Sequence, residues 1–270
     1  MEDCSQMKNL HFTYRMDLDF ASPIENHRFT LKCIPDSDDR QTITDLNVKI
    51  NPEVTLSTGE DSFGNIYVYG HCDNPHKRLT VSVEGNALTG LKEFRGAPEL
   101  HKLGLYRTQT GLTAPGEKLK ALYNKIKKYC KGQDVEAFAG NAMEELSACI
   151  AYSKGTTNSS TTAEEALLGG LGVCQDYSHI MLSLLRLDGI PCRYVVGMMT
   201  GEGESHAWIE FYCAGKWIGA DPTNHKFIDD DYISISTGRD AKDCRINRGI
   251  FNGSPFHTCL ANVTVTERFN

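Results

Sequence analysis

A cysteine, a histidine and an aspartate stand in the order Cys174, His206 and Asp221, and each has surroundings suited to one role in attack on a carbonyl. Cys174 follows Gly169-Gly170-Leu171-Gly172-Val173, whose three glycines favour a tight backbone turn over regular structure. Tyr177, Ile180, Met181, Leu184, Leu185 and Leu187 then recur at helical spacing, until Gly189 and Ile190-Pro191 end the pattern. The spacing predicts a helix that begins at or near Cys174 and buries one face. A thiol at that position feels the positive end of the helix macrodipole and the unpaired N–H groups of the first turn. Both favour thiolate, the form that attacks carbonyls. The same amides can hold an oxyanion.

The base and its orienter belong to the following elements. Cys192 to Met199 reads as a short buried strand, Thr200-Gly201-Glu202-Gly203-Glu204 as a flexible loop, and Ser205 to Cys213 as a second strand. Ala214-Gly215 marks a turn, after which Lys216 to Ala220 returns and ends at Asp221-Pro222. With an even loop such as Ala214-Gly215, Asp221 falls opposite Trp208 and projects on the same face as His206. An odd loop puts the two on opposite faces. In the even register they are diagonal neighbours, roughly 7–8 Å apart and within reach of the imidazole ring. The amino-acid order leaves the register open.

Each residue also has an ordinary structural reading. Cys174 alone is as readily a buried thiol, His206 a strand histidine, and Asp221 a strand end that bonds local amides; catalysis is favoured by the three together. Asp176 would raise the pKa of a neighbouring thiol, whereas a carboxylate in a first helical turn is stabilising, so a structural role is expected. His179 and Trp208, close to the nucleophile and the base, are expected to pack. His71, Cys72, Asp73 and His76 carry ligand-type side chains, but their spacing matches no common metal site and Asn74-Pro75 reads as a turn. The lysines at 118, 120, 125, 127, 128 and 131 read as the solvated face of a helix. Asn158-Ser159-Ser160 has the form of a glycosylation acceptor, which a non-secreted protein does not use. Glu202 and Glu204 make the loop before His206 a candidate gate and hint at a cationic substrate group, against the plainer reading of a solvated loop.

Bulk properties bound the rest. The net charge of −7 argues against nucleic acid and anionic membrane as partners, which need a basic footprint. Met1-Glu2-Asp3-Cys4-Ser5-Gln6 has neither a basic lead nor an apolar stretch, so a cytoplasmic location is expected. The ten cysteines run from Cys4 to Cys259 without close pairs or any C-x-x-C, which signals neither a disulfide framework nor a zinc site. Most are expected to be free, and all but Cys174 to be buried small hydrophobes.

Changes of periodicity divide the chain into two parts. Residues 1–110 form a β-rich domain, marked by alternating stretches such as Phe29-Thr30-Leu31-Lys32-Cys33 and Leu46-Asn47-Val48-Lys49-Ile50. Leu103 to Thr113 lacks a clear period and reads as linker. Residues 111–270 turn helical: Leu119, Leu122, Tyr123, Ile126 and Tyr129 mark one face, and Phe138, Ala142, Leu146, Cys149 and Ile150 the next. Lys154-Gly155 is a stop signal, and Thr162 with Glu165 forms a capping box. Leu260 to Val265 alternates again and is expected to close this second domain as a strand. The fold class is α+β, helices packed on an antiparallel sheet after a β-rich domain. No internal repeat or low-complexity segment is present.

Gly172-Val173-Cys174-Gln175-Asp176-Tyr177-Ser178-His179, Gly189-Ile190-Pro191-Cys192-Arg193-Tyr194-Val195, Ser205-His206-Ala207-Trp208-Ile209-Glu210 and Asp221-Pro222-Thr223-Asn224 resemble the bacterial transglutaminase-like family of cysteine peptidases. Asp61-Ser62-Phe63-Gly64-Asn65 with Leu79-Thr80-Val81 resembles the family's β-rich N-terminal region, and Gly238-Arg239-Asp240 with Asp243 and Arg248-Gly249 the stretch after its aspartate. The resemblance implies a papain-like α+β core with Cys174 as nucleophile, His206 as general base and acid, and Asp221 as orienter. Two positions depart from the family pattern: Cys192, where a small residue is usual, and Tyr232, where histidine is common. Neither is expected to touch the triad. The expected chemistry is acyl transfer through a thioester on a peptide or protein substrate, requiring no metal or organic cofactor. Water as acceptor gives a peptidase or amidase, and an amine gives a transglutaminase. A non-catalytic binding protein and a thiol redox sensor remain as other readings. Cys174 N–H is one expected oxyanion donor, with Tyr152 a candidate for the second.

Overall fold

The computed structural model describes residues 7–90, 100–130 and 134–268. Its longest strand is β1 (Lys8–Leu31), in which Leu10, Phe12, Tyr14, Met16 and Leu18 alternate inward. The register breaks between Asp19 and Ile24, and Asn26 takes a positive φ of 50°. On the N-terminal side of this bend, β1 pairs with β5 (His76–Thr89) and β15 (His257–Glu267). Beyond it, β1 pairs with β4 (Ile66–Cys72) and β14 (Asn247–Asn252). Three further strands extend this sheet: β2 (Thr42–Asn51) next to β5, β3 (Leu56–Glu60) next to β4, and β9 (Gly201–Gly203) next to β15.

Two of these strands differ from expectation. Chain order groups β15 with the second half, yet its ladder lies along β1 from Leu10↔Glu267 to Phe20↔His257. The presumed gate contains β9, which is hydrogen-bonded to β15 from Val263↔Gly203 to Val265↔Gly201. Backbone pairing holds that segment against the first sheet.

The second half is α+β. Helices α1 (Leu100–Tyr106), α2 (Glu117–Tyr129), α3 (Val135–Cys149), α4 (Ala163–Gly169) and α5 (Cys174–Leu187) precede an antiparallel sheet. Its order is β12 (Lys226–Phe227), β11 (Lys216–Asp221), β10 (His206–Cys213), β8 (Cys192–Met199) and β13 (Tyr232–Gly238). The presumed linker holds α1, whose Leu103 and Tyr106 pack on Trp217. Tyr129, expected on the inner face of α2, is exposed. Helix α3 ends before Lys154-Gly155 because β6 (Ala151–Tyr152) pairs in parallel with β7 (Leu171–Gly172). The capping box of α4 is formed: Thr162 Oγ1 accepts from Glu165 N, and Glu165 Oε2 from Thr162 N at 2.8 Å.

Helix α5 is buried on all sides, with a continuous buried run from Asp176 to Arg186, because α2, α3 and α4 cover it opposite β8 and β10. A polar residue at such a depth needs partners. Arg186 donates to the carbonyls of Tyr106, Cys192 and Arg239 and to Thr113 Oγ1.

Met198, Ile233 and Ile235 of the second sheet share one core with Leu10, Phe12 and Val81 of the first. Strand β13 is an edge strand, and two side-chain amides close its free backbone groups. Gln41 accepts from Ser234 N at 2.8 Å and donates to Ser234 O at 2.9 Å. Asn65 does the same at Thr237, 2.7 Å each way. Glu210, also buried, bonds Arg193 at 2.6 Å and Arg40 at 2.8 Å. Burial raises the Glu210 pKa, but the two guanidinium groups outweigh it and hold the carboxyl below its usual range.

Among the described residues all nine cysteines are free, five of them buried, while Cys149, Cys174 and Cys213 are half-buried and Cys259 is exposed. Cys4 lies outside the described residues. No described helix is long and apolar enough to cross a membrane.

Truncating Gln41 would strand the Ser234 N–H and C=O. Gln41→Ala is expected to lower unfolding free energy by about 1–3 kcal/mol, read as a lower urea midpoint at unchanged slope. An unchanged midpoint would remove the edge-sealing role.

Candidate active site

The glycine-rich approach to Cys174 is shaped by close contacts. Gly170 ends α4 in the left-handed region at φ 66°. A Cβ on Gly172 would lie 2.8 Å from the Asp176 Cβ, so only glycine lets the chain pass there. Val173 is extended, and Asp176 Oδ2 accepts from Val173 N at 2.8 Å and Thr157 Oγ1 at 2.6 Å. Asp176 therefore ties down the helix entry, as its place in the first turn suggested. Burial, opposed by those hydrogen bonds, pushes its carboxyl up. Cys174 follows as the first helical residue, half-buried at the mouth of a cavity.

The hairpin settles the register left open by the sequence. Ala214 and Gly215 both take positive φ, 49° and 86°, forming a two-residue turn that closes Cys213↔Lys216 and Ile209↔Ala220. Continuing that ladder places Asp221 opposite Trp208 and diagonal to His206. His206 Nε2 donates to Asp221 Oδ2 at 2.7 Å. Cys174 lines the same cavity as His206 and acts on the ring electrostatically, and with Nε2 committed to Asp221 the other ring nitrogen, Nδ1, is left for the thiol.

The electrostatics of the three residues are coupled. Burial disfavours the imidazolium, but the hydrogen bond to Asp221 and the interactions with Asp221 and Cys174 outweigh it, raising His206 to about 9. Burial likewise raises Asp221, yet His206 and its other donors hold the carboxyl below its ordinary value. Asp221 is fully buried, and Oδ2 takes two further hydrogen bonds, from Asn224 Nδ2 at 2.7 Å and from Tyr232 Oη at 2.8 Å. Oδ1 accepts from the backbone N–H groups of Thr223 and Asn224 at 2.9 and 3.2 Å.

Tyr232 therefore touches Asp221 of the expected triad, contrary to expectation, because β13 bonds β8 with Tyr232 opposite Met199 and brings its hydroxyl to the aspartate. The other departure, Cys192, is buried, with its thiol 3.6 Å from Leu182 O. Trp208 stacks beside His206 with centroids 6.3 Å apart and meets Tyr232 edge-on at 5.3 Å. Asn224 was detectable in advance: aspartate, proline and a polar residue three places on read as a turn that returns donors to the carboxylate. Tyr232 gave no such signal, since its contact spans two strands.

The remaining sequence candidates sort as follows. His179 is buried packing: Nε2 accepts from Ala241 N at 3.2 Å, and burial holds its pKa down near 4. His71 pairs with Asp73 at the surface at 3.1 Å, while His76 turns inward to His27, also at 3.1 Å. Among the described residues no group of three or more His, Cys, Asp or Glu is placed to hold a metal ion. Tyr152 is half-exposed on β6, and its hydroxyl is pushed up first by burial and then by the charge on Cys174.

Comparison with known proteins places this arrangement in a family. Residues 105–222 match the model of the transglutaminase-like superfamily, and residues 10–87 that of the bacterial transglutaminase-like N-terminal region. An uncharacterized protein of Mycobacterium leprae, ML0607, is 31% identical over 255 residues, covering 87% of this chain and 90% of its own length. The chain belongs to the transglutaminase-like superfamily. A second relative, the uncharacterized Rv2569c of Mycobacterium tuberculosis, is 29% identical, covering 72% of this chain and 71% of its own. The fold is shared with a crystal structure of "a Putative Cysteine Protease from Cytophaga hutchinsonii", at a TM-score of 0.80 and 19% identity over 98% of this chain and 92% of that one.

The raised His206 pKa has a defined consequence for this transglutaminase-like site. Its folded value lies above the ordinary 6.5, so the stability His206 contributes is fully present below 6.5 and is lost as pH rises through about 9. The lowered Asp221 carboxyl acts in the opposite direction: its contribution is lost as pH falls through its depressed value. Imidazole NMR titration of wild type is expected to report a transition near 9, moving down in Asp221→Asn. A transition near 6.5 in both would contradict the coupled site.

Proposed function

We propose that the protein is a cysteine hydrolase acting on a peptide or amide bond, with Cys174 as nucleophile, His206 as general acid and base, and Asp221 as the orienter of the ring. The observation that carries this reading is the hydrogen bond from His206 to the buried Asp221 beside Cys174, which stands at a helix N-terminus and lines one cavity with His206.

The Cys174 thiolate attacks the carbonyl carbon, and the carbonyl π electrons move onto oxygen. The N–H of Cys174, among the first-turn amides that an α-helix leaves unpaired, stabilises that oxyanion. Tyr152, whose hydroxyl feels the charge of Cys174, is the second candidate donor. The C–N bond breaks as the imidazolium protonates the leaving amine, giving a thioester and a neutral ring. A water molecule then gives its proton to the ring and its oxygen to the acyl carbon, the C–S bond breaks, and the acid departs as the ion pair reforms. Asp221 holds the ring for both transfers, since Nε2 stays committed to its carboxylate while Nδ1 exchanges the proton. The Tyr232 and Asn224 hydrogen bonds keep that carboxylate from turning.

The test is cleavage of a peptide library in ¹⁸O-labelled water, with and without a primary amine. Label in the new carboxyl group, abolished by Cys174→Ala and reduced on the order of 10²–10⁴-fold by His206→Ala, is the expected result. Amine incorporation in place of label would assign a transglutaminase, and cleavage indifferent to Cys174 would overturn the reading. Tyr232→Phe removes one hydrogen bond to a charged oxygen, worth about 1.5–3 kcal/mol, and is expected to slow turnover about tenfold or more while leaving peptide KM unchanged. An unaltered rate would show that the remaining donors suffice to hold Asp221.

A further inference from the structure

The cavity at Cys174 has a volume of about 320 Å³. At about 30 Å³ per water, that is room for a scissile amide and one side chain. Val173, Tyr194, Val196, Ala207 and Ile246 make its walls largely apolar, and Arg245, an exposed residue, is the one arginine or lysine among the described residues that line it. No aspartate or glutamate among the described residues lines it.

The acidic residues around it already have partners. Asp243 is bonded to Arg239 at 2.8 Å, Asp240 Oδ1 accepts from Lys242 N at 2.8 Å, and Asp176 is committed to the start of α5. Glu204, which hinted at a cationic substrate, pairs with Lys154 at 2.9 Å. Among the described residues Arg245 has no ion-pair partner. Its backbone, by contrast, is fixed on both sides. Cys244 is buried against Tyr194, and the Ile246 carbonyl accepts from Lys32 N at 2.8 Å. The position is thus an arginine carried on an anchored backbone, open to solvent and facing the nucleophile's cavity.

We infer that Arg245 selects substrates carrying a carboxylate next to the scissile amide. An arginine binds carboxylate through two parallel N–H···O bonds and retains its charge throughout the accessible pH range. The carboxylate can come from an acidic side chain or from a peptide C-terminus. This specificity rests on the hydrolase reading, but it can be read at the thiol without any turnover.

The experiment compares alkylation rates of Cys174 by iodoacetate and by iodoacetamide, with the modified residue located by peptide mass spectrometry. The His206 imidazolium also favours an anionic reagent, so the deciding quantity is the change in the iodoacetate-to-iodoacetamide ratio. Arg245→Gln is expected to lower that ratio about tenfold with the iodoacetamide rate unchanged. Arg245→Lys should retain part of it, and Lys242→Gln, a charge removal outside the cavity, should leave it within about twofold. A ratio unmoved by Arg245→Gln, or moved equally by Lys242→Gln, overturns the assignment.

The ratio is defined for a slow thiol as well as a fast one. Failure of the hydrolase reading would show instead as an iodoacetamide rate indifferent to His206→Ala. Peptide pairs differing in Glu against Gln, or in free against amidated C-terminus, then separate the two carboxylate sources. Preference for the Glu peptide or for the free C-terminus, lost in Arg245→Gln, supports the inference, and indifference to both pairs or preference for the neutral members overturns it.

Discussion

The arrangement of the site depends on keeping one carboxylate ionised where no water reaches it. Asp221 is fully buried, and an unpaired charge at that depth would cost several kcal/mol. Five hydrogen bonds offset the burial: an imidazole, an amide and a phenol on Oδ2, and two backbone N–H groups on Oδ1. Each donor imposes a structural demand. His206 requires the even hairpin register, Asn224 and Thr223 require the chain to turn back at once after β11, and Tyr232 requires β13 to lie against β8. The second sheet and the orientation of the imidazole are therefore one problem with one solution.

Cys174 is held with comparable firmness. Helix α5 is enclosed by three helices and a sheet, so Cys174 at its end cannot shift relative to β10 without disturbing the core. The entry to that helix is bonded by Asp176 and squeezed at Gly172. Thiol and imidazole come from different elements, packed on opposite sides of one interface. Their relative placement is a packing property, fixed by the core before any ligand arrives.

The β-rich half is joined to this core rather than appended to it. It shares a hydrophobic core with the second sheet, seals the open edge of β13 through Gln41 and Asn65, and takes β9 and β15 into its own ladder. The segment just before His206 and the one that carries Arg245 both end on the first sheet, through β9 and through the Lys32 to Ile246 hydrogen bond. None of the described residues of the N-terminal half lines the cavity, but the half is hydrogen-bonded to a segment that does.

Much of this was legible in residue order. The helix starting at Cys174, the strands on either side of Ala214-Gly215, the Thr162 capping box and the alternation of the β-rich half all follow from interactions between residues close in sequence, which leave periodic traces. Cys174, His206 and Asp221 stood out because the turn, helix and hairpin that present them are local. Tertiary structure alone decided the rest. A one-residue slip in the hairpin would have turned Asp221 away, and the choice lay in the positive φ at Ala214 and the packing behind it. Tyr232 reaches Asp221 across two strands, β15 leaves the half in which chain order puts it, and α5 is buried on every side. These are pairings between distant segments, and a pattern read along one segment carries no record of what lies across from it.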